Sequence, residues 1–234
     1  MGTMAIKNPS RNSNRIFIII VAAVVIAMIA GLTFMVMNAK EDKNTVYTPE
    51  NLTASIVSDG DNGTYIEFKN NKDNGKYVDD YSDPLCKYCK MYRESNYDAI
   101  NDAIDDGTAY RYHMLTFLDG GDPSGYSHRN TEALIHLVEN GEVEAAWNLY
   151  KKTWGSTDTT NQGLVDKATG ISNESKDFIL NMNNTDRAVA ADKRNTDKLD
   201  ELVGEVSTPT VFVNDEQVVN PVQSDKALRE ALGI

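Results

Sequence analysis

The sequence predicts an α/β fold, a central mixed sheet flanked by helices and cut in two by an all-helical block. Three observations carry this. Residues 64–118 read as strand, strand, helix, strand. Residues 127–204 keep a helical period with no strand among them. The chain then returns to two short strands over 208–221 and closes with an amphipathic helix.

The elements follow in order. Residues 1–15 carry Lys7, Arg11 and Arg15 and no acid. Residues 16–37, "IFIIIVAAVVIAMIAGLTFMVM", hold no charge. As a helix, such a run spans about 33 Å, enough for a bilayer core of about 30 Å. The run is longer than the apolar core of a cleaved leader, and Met37 stands where a small residue is wanted for cleavage. A retained transmembrane signal anchor is expected, with its basic flank in the cytoplasm and residues 38–234 outside it. That outer part carries 20 of the 23 Lys and Arg and all 35 Asp and Glu, a net of −15. Such a surplus is the mark of a solvated surface, and it argues against nucleic acid and anionic lipid as partners.

Residues 38–61 are polar with turn formers and read as a tether holding at most one short strand or helix. Residues 62–124 form the first half of the α/β unit. "TYIEFKN" (Thr64–Asn70) alternates as a strand does. "YVDDY" (Tyr77–Tyr81) is a strand with acids where apolar residues are expected, and Pro84 ends it. Cys86–Ile104 is helical with Gly107 as its stop, and Ala109–Leu118 is the next strand, parallel to its predecessor. The helical block covers 125–204, each helix closed by Gly or opened by an Asn or Ser cap. Trp147 and Trp154 in it read as core, whereas Phe117 and Tyr126 fit either a groove above the thiols or the core. Residues 205–234 supply the second half, with "TPTVFVND" and "EQVVNP" as a hairpin and Ser224 as the expected cap of the last helix.

The chemistry sits in "VDDYSDPLCKYCKMYRE", which holds Cys86 and Cys89, the chain's two cysteines. Structural zinc needs four ligands, and only His113, His128 and His136 are available to complete a set, two of them inside regular elements. A copper-delivery pair lacks the usual Met-rich or His-rich cluster. A static disulfide over so short a loop removes little chain entropy. A redox pair fits better. On the first turn of a helix, Cys86 meets free N–H groups and the positive dipole end, which favour a thiolate. Cys89 lies one turn on, placed to resolve a mixed disulfide. Asp80, six residues before Cys86, is a candidate to take and return the Cys89 proton from a buried position. Asp79 points to the opposite face and is its competitor.

A strand ending in an acid, Cys-x-x-Cys at a helix start and, far downstream, "VSTPTVFVND" together resemble the thioredoxin superfamily. The helical block between the two halves resembles its DsbA branch, and "LVDKATGI" (Leu164–Ile171) is similar to sequence inside that branch's insertion. The resemblance covers residues 62–234. It implies a thioredoxin fold, with Pro209 as a cis-proline facing the thiols and Thr208 presenting backbone groups to substrate. It implies that Lys87 and Tyr88 tune the reduction potential, with Lys87 and Lys90 favouring the thiolate. No bound cofactor or metal is expected, since the Cys86–Cys89 disulfide is itself the redox group. The implied activity is a membrane-tethered, DsbA-like dithiol oxidase of a bacterial cell envelope. Its partners are folding secreted proteins with free thiols and a quinone-linked membrane oxidase that restores the disulfide. A reductase or isomerase on the same scaffold, and a non-catalytic binding protein, are the competing readings. The pair Lys87-Tyr88 departs from the Pro-His frequent in DsbA proteins, and Asp80 stands where many carry Glu, so the direction of electron flow stays open.

Overall fold

Six strands build one mixed sheet in the order β1-β2-β4-β3-β5-β6. The computed structural model describes residues 47–60 and 63–234. The anchor expected at 16–37, its cytoplasmic flank at 1–15 and the tether up to residue 46 lie outside them. Among the described residues no helix is long and apolar enough to cross a membrane.

The short strand that the tether reading allowed is present, and it belongs to the sheet. Thr53–Asp59 forms β1 and pairs antiparallel with β2 (Gly63–Lys69), Ile56 opposite Ile66. The α/β unit therefore begins before residue 62. "TASIVSD" is polar for a strand, but β2 offers it an open ladder of backbone groups and an isoleucine to cover. Upstream, the Tyr47 carbonyl accepts from Trp147 Nε1 at 3.1 Å and Lys151 Nζ at 2.6 Å, so the chain enters the sheet from a fixed point.

β3 (Tyr77–Ser82), α1 (Lys87–Asp105) and β4 (Ala109–Met114) are the expected parallel crossover unit, Asp80 opposite Tyr112. β4 ends at Met114, short of the predicted Leu118. Asp192 takes the Thr116 N–H at 2.6 Å and Asp83 takes the Leu118 N–H at 2.9 Å, so these amides leave the ladder. Phe117–Asp119 becomes a single 3-10 turn instead.

The helical block consists of α2 (Tyr126–Glu139), α3 (Val143–Lys152), α4 (Asn161–Lys167), α5 (Asn173–Leu180) and α6 (Asp186–Val203). Thr160 and Ser172 cap α4 and α5 through their hydroxyls, as their residue types favour. Trp147 and Trp154 are buried, as read from sequence. Tyr126 is buried too, and Phe117 packs against the cluster of Tyr81, Leu115, Leu199 and Phe212, which settles both as core.

β5 (Thr210–Val213) and β6 (Glu216–Gln217) form the predicted hairpin in shorter form. Asn214 and Asp215 both have positive φ, 49° and 67°, the pattern of a two-residue turn whose twist matches its strands. α7 (Lys226–Leu232) starts from Asp225 rather than Ser224, with Arg229 one turn on bonding the Asp225 carboxylate at 2.6 Å.

Candidate active site

The loop after β3 carries the chemistry because a buried aspartate holds it. Asp83 Oδ1 accepts from Leu85 N at 2.8 Å and from Ser127 Oγ at 2.6 Å, while Oδ2 accepts from Leu118 N. One side chain thus ties the cysteine loop to the 3-10 turn and to the start of α2. Burial pushes its carboxyl up to about 6, against the pull of those three donors.

Cys86 is the N-cap of α1. Its Sγ accepts from Cys89 N at 3.3 Å, where a helix leaves its first amides unpaired. The bond from the Cys89 thiol, with further help from Thr208 and the Cys89 and Tyr88 amides, lowers the Cys86 thiol to about 6 against the opposing effect of burial. Cys89 is fully buried, and burial first, then the bond to and charge on Cys86, hold its thiol well above the usual range. Both are free thiols. The pair is therefore split, one sulfur ready to ionise and one kept protonated.

Lys87 and Lys90 do not contribute as expected. Lys87 Nζ sits over the Tyr88 ring, 4.9 Å from its centroid, and Lys90 pairs with Glu94. What lowers Cys86 is a set of short-range donors rather than the lysine charges. Tyr88 projects into solvent, 51% exposed, beside Met91 on the same helix.

The Thr208–Pro209 bond is cis, and this loop faces the cysteines. The Thr208 carbonyl lies 3.4 Å from Cys86 Sγ, which donates to it as a thiol.

Asp80 is where the sequence reading is incomplete. It is fully buried on the α1 side of the sheet, but not alone. Its Oδ2 accepts from the Arg93 guanidinium and from Tyr110 OH at 2.8 Å, and its Oδ1 accepts from Ser82 Oγ at 2.5 Å. Arg93 in turn lies in an aromatic box, 4.0 Å from the Tyr150 ring centroid and 4.4 Å from that of Trp154. Arg93 was legible as Cys89 plus four on one helix face, and Ser82 as Asp80 plus two on one strand face. Tyr110, Tyr150 and Trp154 had no local signal. Asp79 points the other way, to His113 at 2.8 Å and Arg111 at 3.9 Å. Among the described residues no group of three or more His, Cys, Asp or Glu is placed to hold a metal.

Comparison with known proteins agrees with this architecture. A family model described as thioredoxin matches residues 71–232. The structure is similar to MdbA of Corynebacterium diphtheriae, described as a thiol-disulfide oxidoreductase, with 24% identity and a TM-score of 0.67 over 81% of this chain and 97% of that one. MdbA of Corynebacterium matruchotii gives 22% and 0.65 over 77% and 92%. The oxidised Mtb DsbA gives 21% and 0.54 over 73% and 93%. No curated protein matches the chain in sequence. A Cys-x-x-Cys helix start, the parallel crossover that presents it and a family match over residues 71–232 lead to one conclusion: this chain belongs to the thioredoxin family, with the DsbA/MdbA-like form of its fold.

Proposed function

We propose that this chain is an extracytoplasmic thiol–disulfide oxidoreductase that introduces disulfides into secreted or envelope proteins through Cys86 and Cys89. The observation that carries the reading is the split between the two thiols, Cys86 lowered to about 6 and Cys89 raised. Stabilising one thiolate stabilises the reduced pair, so the oxidised pair gives up its disulfide readily.

In the proposed cycle a substrate thiolate attacks Cys86 Sγ of the disulfide. The Sγ–Sγ bond breaks and its electron pair leaves on Cys89. A second substrate thiolate then attacks the substrate sulfur of the mixed disulfide and expels Cys86 as a thiolate. The substrate dithiol has lost two electrons and the pair has gained them. A quinone-linked membrane oxidase is the proposed acceptor that restores the disulfide. The apolar run at 16–37 is the proposed anchor, single-pass with its N-terminus in the cytoplasm, holding the domain near that acceptor. Thr208 and the exposed Tyr88 and Met91 flank Cys86 and are the proposed docking surface for an extended substrate segment. The MdbA proteins, described as thiol-disulfide oxidoreductases, support the reaction class.

The test is trapping. Cys89→Ser in cells accumulates covalent mixed disulfides with envelope proteins, and Cys86→Ser accumulates none. Equilibration of the purified pair with glutathione then gives the direction. A potential nearer about −120 mV than about −270 mV supports oxidation of substrates. A value at the lower end overturns it in favour of reduction or isomerisation.

A further inference from the structure

Cys89, Ser82 and Asp80 are all fully buried. When Cys89 forms or loses its bond to Cys86 it must lose or regain a proton, and a group sealed from bulk water needs a protein partner for that. Asp80 acts on Cys89 through its charge alone, whereas the Ser82 hydroxyl is the neighbouring group that acts on the thiol at hydrogen-bonding range. Ser82 Oγ also donates to Asp80 Oδ1 at 2.5 Å. The other carboxylate oxygen is held by Arg93 and Tyr110, so Oδ1 is the one that faces the thiol through the serine. A hydroxyl has one proton and two lone pairs, and with the proton directed at Asp80 a lone pair is free for the thiol. The serine cannot drift from this post. It lies in β3 opposite Met114, and its carbonyl accepts from Leu115 N at 3.1 Å.

We propose that Ser82 is the relay that carries the Cys89 proton to and from Asp80. The inference rests on the oxidoreductase reading above and deepens it. In the closing step the Cys89 S–H gives its proton to Ser82 Oγ while the Ser82 O–H gives its own to Asp80. The Cys89 thiolate attacks Cys86 Sγ of a mixed disulfide, the Cys86–Cys89 bond forms, and the electron pair of the broken bond leaves on the departing sulfur. The reverse step runs the same path, with Asp80 returning the proton through Ser82 to the expelled Cys89. The timing is built in. While Cys86 is a thiolate, its bond and charge keep Cys89 protonated; in the mixed disulfide both are gone.

The test uses the reduced protein and an aromatic disulfide, dithiobis(nitrobenzoate), which releases one chromophore when Cys86 attacks and a second when Cys89 closes. Ser82→Ala leaves the first phase unchanged and slows the second on the order of 100-fold. That second phase acquires a first-order dependence on hydroxide, which a merely structural serine would not produce. Ser82→Thr, which keeps the hydroxyl, restores the phase and its pH profile. In the unmodified protein two protons move in the closing step, so its rate is a curved function of deuterium fraction. That measurement decides the matter if the alanine variant does not fold. An unchanged second phase in Ser82→Ala, or a straight-line isotope dependence, overturns the relay and leaves the oxidoreductase reading standing. Absence of the first phase in the unmodified protein overturns both.

Discussion

Asp79 and Asp80 are consecutive residues on the same strand, and the two faces of the sheet treat them differently. Asp80 faces α1, fully buried, against a guanidinium that is itself 8% exposed inside an aromatic box. Asp79 faces the opposite side, 14% exposed, between His113 and an arginine 3.9 Å away that is 23% exposed. The alternation of a strand put one acid beside the buried thiol and the other in a half-wet groove. The same charge therefore has two different weights, since pairing matters most where water cannot substitute for a missing partner.

The largest effect expected from this contrast is on stability. Arg93→Leu leaves the Asp80 charge buried and uncompensated, and should cost about 3–5 kcal/mol in urea unfolding. Arg111→Leu, on the Asp79 side, should cost about 1 kcal/mol or less. Equal losses would end the distinction between the faces.

The next effect is on pH dependence. The folded Cys86 thiol titrates below the unfolded one, about 6 against 9.0. Its contribution to the reduced protein is present above pH 9 and is lost as pH falls through about 6, with an upper bound of roughly 4 kcal/mol. Unfolding of the reduced protein between pH 5 and 9 should show this rise, and Cys86→Ser should flatten it. Alkylation of Cys86 should follow the same midpoint while Cys89 stays unreactive.

Asp83 has the opposite sign. Its folded carboxyl lies above its unfolded value, about 6 against 3.8. Its contribution is present below about pH 4 and lost as pH rises through about 6, by roughly 3 kcal/mol. Asp83→Asn lowers stability overall, because an amide cannot accept from Leu118 N and keep its other bonds. It should also remove this slope, read as the difference between unfolding midpoints at pH 4 and pH 7.

The smallest effect is the sharpest control. Asp79→Asn should cost about 1 kcal/mol, the value of one hydrogen bond. It should leave the Cys89 closing rate unchanged, because no path from that face reaches the thiol.

Much of the site was legible along the chain. Cys86 and Cys89 share a helix face because residues three apart do, and the helix start that ionises Cys86 is marked by Pro84 and the loop before it. The Ser82–Asp80 and Cys89–Arg93 relations also follow from strand and helix periods. What periodicity does not hold is the partner across space. Arg93 was visible as a face-mate of Cys89, but nothing local says that Tyr150 and Trp154 of α3 surround it. Lys87 and Lys90 misled for the same reason: their proximity in sequence to Cys86 is not proximity of charge once one stacks on Tyr88 and the other pairs with Glu94.

The order of elements, the split of the α/β unit by helices, and the two thiols at a helix start were already legible along the chain. These depend on local periods, caps and breakers, which act within a turn or a strand. Packing in three dimensions made "TASIVSD" an edge strand, stopped β4 at Met114, and left Asp80 paired with Arg93, sealed and hydrogen-bonded by Ser82. Those outcomes depend on which backbone groups and charges find partners far along the chain. Burial and pairing, unlike periodicity, are properties of what surrounds a residue in space.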